Sequence, residues 1–159
     1  MGPFPHDAPP AKISEKNPAG TDGFEFVEFA HSEPEKLEEL FPRMGYSPVA
    51  KHRTKAIAAW RQGDINYIVN AEPGSHAMKF VGEHGPCAAS MAWRVVDAKH
   101  AFDHAVSKGA TPYTGAEKAL DVPAIVGIGG SGIFFIEKYG PPRSASDTPL
   151  ALVAPEKPN

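Results

Sequence analysis

A pattern that begins at Phe24 begins again at Ala88. Phe24-Glu25-Phe26-Val27-Glu28-Phe29, a helical run from Glu33 and then Gly45-Tyr46-Ser47-Pro48 are echoed by Ala88 to Trp93, a helical run from Ala98 and Gly109-Ala110-Thr111-Pro112. Each copy reads as a half-buried strand, an amphipathic helix ended by glycine, and a second strand opened by a turn proline. Self-similarity of this kind marks duplication of one supersecondary unit. It predicts an α+β fold built from two copies, with strands of mixed direction.

The pattern can be followed element by element. Gly23 to Ala30 is the first strand, where phenylalanines mix with Glu25 and Glu28 in near alternation. Ser32-Glu33-Pro34-Glu35 has the form of a capping box with proline in the first turn, and Leu37, Leu40, Phe41 and Met44 form an apolar stripe before Gly45. Pro42 is discordant, because an interior proline removes a helical hydrogen bond at about 3 kcal/mol and predicts a kinked or tight last turn. Strands Val49 to Arg53, Ala56 to Gln62 and Ile65 to Ala71 then form an antiparallel meander, with Gln62-Gly63-Asp64 as a tight reversal. A short helix from Ser75 to His84 leads to the second copy. That copy has a strand from Ala88 to Val95, a helix from Ala98 to Lys108 capped by Asp97, and strands at Thr111 to Thr114, Val122 to Val126 and Gly132 to Lys138.

Three segments result: a proline-rich arm over 1–20, one domain of paired units over 21–140, and a proline-rich linker or tail over 141–159. With 159 residues, 42% of them hydrophobic, the chain has enough apolar material for one core. A net charge of -3 without any Lys/Arg run argues against nucleic acid or an anionic membrane as partner. Neither a signal-peptide pattern in Met1 to Lys16 nor a bilayer-length apolar stretch is present, and the single Cys87 fits a reducing compartment, so a cytoplasmic location is expected.

Candidate chemistry is sparse. Gly127, Gly129 and Gly132 have dinucleotide-fingerprint spacing, but Ile133-Phe134-Phe135-Ile136 reads as a strand where that fingerprint needs a helix, so a hairpin or bulge is expected. His100 and His104 are four apart on a helix, the spacing of two ligands to one metal, yet they lie opposite the apolar stripe with no third ligand nearby. His6, His31, His52, His76 and His84 are scattered singly, and no base stands beside Cys87. Glu25 and Glu28, at odd separation on one strand, should face opposite sides, and whichever points inward needs a partner among Arg53, Arg61 and Arg94. Trp60 and Trp93 sit on strands and serve either core or pocket.

Duplicated strand-helix-strand units with extra meander strands resemble the vicinal oxygen chelate fold, in which two βαβββ modules form a curved cup. The blocks Gly23 to Ala30, Met44-Gly45-Tyr46, His52-Arg53, Trp60 to Asn66, Asn70-Ala71-Glu72-Pro73, Glu83-His84-Gly85-Pro86 and Pro123 through Gly130 resemble, in order, the amino-terminal half of the bacterial 4-hydroxyphenylpyruvate dioxygenase family. The resemblance covers roughly Asn17 to Gly140. It implies a family reaction that converts 4-hydroxyphenylpyruvate and oxygen to homogentisate and carbon dioxide in tyrosine catabolism. It also implies Fe(II) held by two histidines and a glutamate of the carboxy-terminal half.

By the pseudo-symmetry that the resemblance implies, the equivalent positions here fall near Glu25, Ser90 and Phe134, which do not form a ligand set. The expectation is therefore a non-catalytic half with no metal or other cofactor of its own, partnered by a carboxy-terminal catalytic domain and by further copies of itself. The alternative is a free-standing small-molecule binding protein whose cup is lined by Glu25, Trp60, Ser90, Trp93 and Phe134. A hollow cup would favour the second reading, a filled one the first.

Overall fold

The computed structural model describes residues 9–115, 120–139 and 152–153. The first unit comprises β1 (Thr21–Ala30), α1 (Glu35–Arg43), β2 (Ser47–His52), β3 (Ile57–Gln62) and β4 (Ile65–Asn70). A connecting helix, α2 (His76–His84), leads to the second unit: β5 (Cys87–Val95), α3 (Ala98–Ser107), β6 (Ala124–Val126) and β7 (Gly132–Ile136). A two-residue strand, β8 (Leu152–Val153), follows.

All eight strands form one sheet in the order β6-β7-β5-β1-β4-β3-β2-β8. The first strands of the two units, β1 and β5, pair antiparallel at its centre, with Val27 opposite Met91 and Glu28 opposite Ser90. Each then pairs parallel with the last strand of its own unit, β1 with β4 and β5 with β7. The duplication is thus visible as a pseudo-two-fold about the β1–β5 seam. Glycine ends the helical segment in both copies, Gly45 with φ 89° and Gly109 with φ 96°, a left-handed conformation that a side chain would strain.

The two faces of the sheet have different coverings. On one, Phe41 of α1 is buried among Phe29, Tyr46, Trp60 and Tyr67, while α3 lays Ala98 and Ala101 on Val95 and Phe135. On the other, Phe26, Ile57, Ala59, Ile68, Ala92, Phe134 and Ile136 form the largest apolar cluster, and among the described residues no long helix covers it. Instead α2 closes one end, with Ala77 and Val81 against Ala30 and Ala89.

Several boundaries depart from the sequence expectation for physical reasons. Ser32 does not cap α1. The His31 ring nitrogen takes the Glu33 amide at 2.8 Å, and the helix starts after Pro34, which offers no side-chain cap. Pro42 lies in the last turn of α1, where the chain leaves through Met44, Gly45 and Tyr46 amides bonded back to Leu40, Phe41 and Pro42 carbonyls. Ser75 and Asp97 do cap their helices, accepting from the Met78 and His100 amides. The strand expected at Thr111 to Thr114 is reduced to one bridge, Pro112 with Ile125, because proline has no N–H with which to extend a ladder.

The glycine-rich segment is the β6–β7 connection, containing a 3-10 turn at Ile128–Gly130, and not a strand-to-helix turn. Of the expected arm, residues 1–8 lie outside the described residues. From Ser14 onward it is tied down: Asn17 brackets Thr21 through both side-chain and backbone groups, and the Pro18 carbonyl meets His100 Nε2 at 2.8 Å. Most of the expected tail also lies outside the described residues, except for β8.

Candidate functional site

The concave face is the only part of the fold where buried polar groups and the pseudo-two-fold seam coincide among the described residues. Its cluster is completed by the segment that follows α3, which folds Tyr113, Leu120 and Val122 over Phe26, Ala124 and Phe134. The Tyr113 ring stands edge-on to Phe134, with centroids 6.5 Å apart, and His76 of α2 leans on Tyr113 while its Nε2 lies 2.9 Å from the Gly130 carbonyl. Side chains of the chain itself occupy this face.

At the α2 end the apolar cluster gives way to Glu28, which is 2% exposed, and to the equally buried Ser90 and Asn70. Asn70 Nδ2 donates to Glu28 Oε1 at 2.7 Å and Ser90 Oγ donates to Oε2, so both carboxylate oxygens are engaged. Asn70 Oδ1 in turn accepts from the Glu72 amide at 3.0 Å. A buried carboxylate is tolerable only when satisfied in this way. Gly132, paired with Ser90, makes room: a Cβ there would meet Ser90 Cβ at 3.2 Å and the Phe134 ring at 3.3 Å.

The opposite end of the sheet carries a second polar group. Arg94 Nε donates to Glu25 Oε2 at 2.6 Å and stacks over the Tyr139 ring, whose hydroxyl donates to Asp22 Oδ2 at 2.5 Å. Asn66 joins it, donating to the Glu25 carbonyl and accepting from Arg61 Nε. Burial, reinforced by the Asp22 carboxylate, pushes the Tyr139 hydroxyl up to about 12. Burial likewise raises Cys87, which disfavours its thiolate.

The cup residues named from sequence are not brought together. Ser90 and Phe134 lie on the concave face, but Trp60 packs against Phe41 under α1 and Trp93 packs in the α3 cluster, so both tryptophans face the other way. Glu25 is bound to Arg94 at the far end, and Glu28 is the carboxylate in register with Ser90. The cause is a β-bulge. Between Phe24, opposite Trp93, and Phe26, opposite Ala92, β1 has an extra residue, which resets the alternation. Glu25 and Glu28 therefore both reach concave-side partners, contrary to the expectation from odd spacing. Strict reading of Phe26, Glu28 and Ala30 as one face was the available signal for Glu28; nothing in the sequence marked Asn70 as its partner.

His100 and His104 have nearly parallel rings 6.4 Å apart, and His100 is engaged by Pro18. Among the described residues no group of three or more His, Cys, Asp or Glu is assembled in a way that could hold a metal.

Two strand-helix-strand units joined through their first strands, with one curved mixed sheet and the helix of each unit on the convex side, define the vicinal oxygen chelate class. A family model described as hydroxyphenylpyruvate dioxygenase, HPPD, N-terminal matches residues 15–150, and the chain belongs to that family. The Vibrio vulnificus protein named hemolysin VllY is 47% identical over 129 residues, 78% of this chain and 36% of the relative. The 4-hydroxyphenylpyruvate dioxygenase of Pseudomonas aeruginosa is 41% identical over 149 residues, 90% of this chain and 41% of the relative. The chain therefore spans 36–41% of the length of these relatives. Among solved structures, a xylose isomerase-like TIM barrel/4-hydroxyphenylpyruvate dioxygenase fusion protein superposes with a TM-score of 0.72 at 32% identity, over 91% of this chain and 22% of that one. No helix among the described residues is long and apolar enough to cross a membrane.

Proposed function

We propose that this chain is the amino-terminal, non-catalytic half of a 4-hydroxyphenylpyruvate dioxygenase, acting in tyrosine catabolism in the cytoplasm. Its role alone is structural: it buttresses a carboxy-terminal catalytic half and supplies contacts between subunits. The observation that carries this reading is the concave face, where Tyr113, Leu120 and Val122 pack into the cluster of Phe26 and Phe134.

Fe(II) of the kind the family implies does not fit the residues here. A facial set of two imidazoles and one carboxylate with open positions is required. Of the expected positions, Glu25 is held by Arg94, Ser90 offers only a hydroxyl and Phe134 has no donor side chain, while Glu28, in register with Ser90, has both oxygens already bonded. The same filling weighs against a free-standing small-molecule binding protein, since ligand sites are concave spaces that the ligand itself fills.

An anaerobic Fe(II) titration of the purified chain, followed by assay for homogentisate from 4-hydroxyphenylpyruvate and oxygen, tests the reading. We expect no stoichiometric iron and no product. Tight iron with turnover would overturn it.

A further inference from the structure

Two imidazoles on α3 have no part in the reading above. His100 and His104 lie one helical turn apart, both half-buried, with ring planes inclined by 13° and centroids 6.4 Å apart. Spacing alone makes such a pair a weak signal. The stronger one is where the proton sits. His100 Nε2 lies 2.8 Å from the Pro18 carbonyl, an oxygen that can only accept, so Nε2 carries the hydrogen and Nδ1 keeps its lone pair. Metal-ligating histidines are held in this way, with the second ring nitrogen donating to a carbonyl or carboxylate that fixes tautomer and ring orientation.

Other histidines of the chain are used differently. His31 and His52 accept backbone amides at Nδ1, which occupies that lone pair. His76 donates to the Gly130 carbonyl, but its ring neighbours are Phe80 and Tyr113, neither of which is an imidazole. At His100 a retained lone pair and an adjoining second imidazole coincide. Lys99, beside His100 in sequence, is paired with Asp103, so its charge is already balanced by a carboxylate.

We propose that His100 and His104 form a surface site for a late first-row divalent ion of the zinc and copper type, with water completing the coordination, and that the ion clamps the arm at Pro18 onto α3. Imidazole suits these ions, and two protein ligands give a reversible site rather than a closed structural one. The clamp follows from the shared ring. Coordination draws electron density from the His100 imidazole and strengthens Nε2–H as a donor to Pro18. The arm on the other side of that bond is built onto the same end of α3: Asn17 brackets Thr21, and the Val96 amide donates to the Gly20 carbonyl at 2.9 Å just before the helix begins.

Calorimetric titration of the full chain with Zn2+, at a slightly alkaline pH that leaves free imidazole neutral, tests the site. We expect one ion per chain, bound at least about tenfold more weakly by His100→Ala and by His104→Ala, and unchanged in His84→Ala on α2. Amide exchange tests the clamp. With Zn2+ at about ten times its dissociation constant, the Asn17 and Gly20 amides, which bond within the arm, should exchange about tenfold more slowly. His104→Ala keeps the Pro18 contact but lacks the second ligand, so zinc should leave its exchange unaltered.

Equal zinc binding by the unaltered chain and both variants would overturn the site, as would a loss confined to one variant, which would make a lone histidine the ligand. Zinc bound through both imidazoles without slower exchange would overturn the clamp. The inference does not depend on the structural-half reading. Fe2+ stands low in the divalent affinity order, and any iron held at this pair would vanish in the two variants, whereas iron at a catalytic centre would remain.

Discussion

In the first unit three strands follow the helix and account for most of Ser47 to Asn70, whereas the described residues of the corresponding stretch in the second form one bridge and two strands. The helices differ too. The α1 helix is anchored by Phe41 inside a cage of aromatic rings, and α3 by alanines that let its backbone approach the sheet. The residues that leave the sheet in the second unit are the ones that fill the concave face. The two units thus share a frame and differ in what lies over the sheet.

The sharpest probe of this asymmetry is Phe41→Ala, which removes a ring packed against four aromatic side chains and should cost about 3–5 kcal/mol in urea unfolding. A loss under about 1 kcal/mol would mean that the two helices are anchored alike. Next comes the seam between the units. Ser90→Ala leaves Glu28 Oε2 buried without its donor and should cost about 1–3 kcal/mol by the same measurement, while a neutral result would show that water replaces the hydroxyl.

Capping gives a smaller contrast. Asp97→Ala should lower stability by about 1 kcal/mol, and Ser32→Ala should change it by less than about 0.5 kcal/mol, since only Asp97 bonds a helical amide. The smallest effect is a pH slope. Tyr139, after β7, meets Asp22 of β1, and its folded-state value near 12 exceeds the usual 10.0. Its contribution is therefore complete below pH 10, where folded and unfolded forms both hold the proton. Stability falls as pH rises from 10 to about 12, because only the unfolded chain releases it. Tyr139→Phe should flatten that stretch of the alkaline stability curve; an unchanged slope would assign it to other groups.

The repeat made the architecture legible, because helix caps, glycine stops and apolar runs are local signals. Both copies, all three helices and the hairpin nature of the glycine-rich segment can be read from residues near one another. What sequence alone hid is what depends on pairing. The bulge after Phe24 moves Glu25 and leaves Glu28 at the seam, and no local feature announces it. The facing of Trp60 and Trp93 depends on which side the helices cover, which alternation leaves open. Pro112 was visible as a turn signal, but its effect on a ladder appears only when Ile125 is its partner. Buried Asn70 is the same kind of case, a strand residue whose meaning comes from a carboxylate 42 residues away.

The two-residue β8 has a consequence for solubility. Its backbone covers Lys51 and His52 on what is otherwise the free border of β2. A chain cut before Leu152 would bare that border, a row of amides and carbonyls able to recruit a strand from another molecule. A short cover of this kind shortens the length open to filament growth from this side of the sheet.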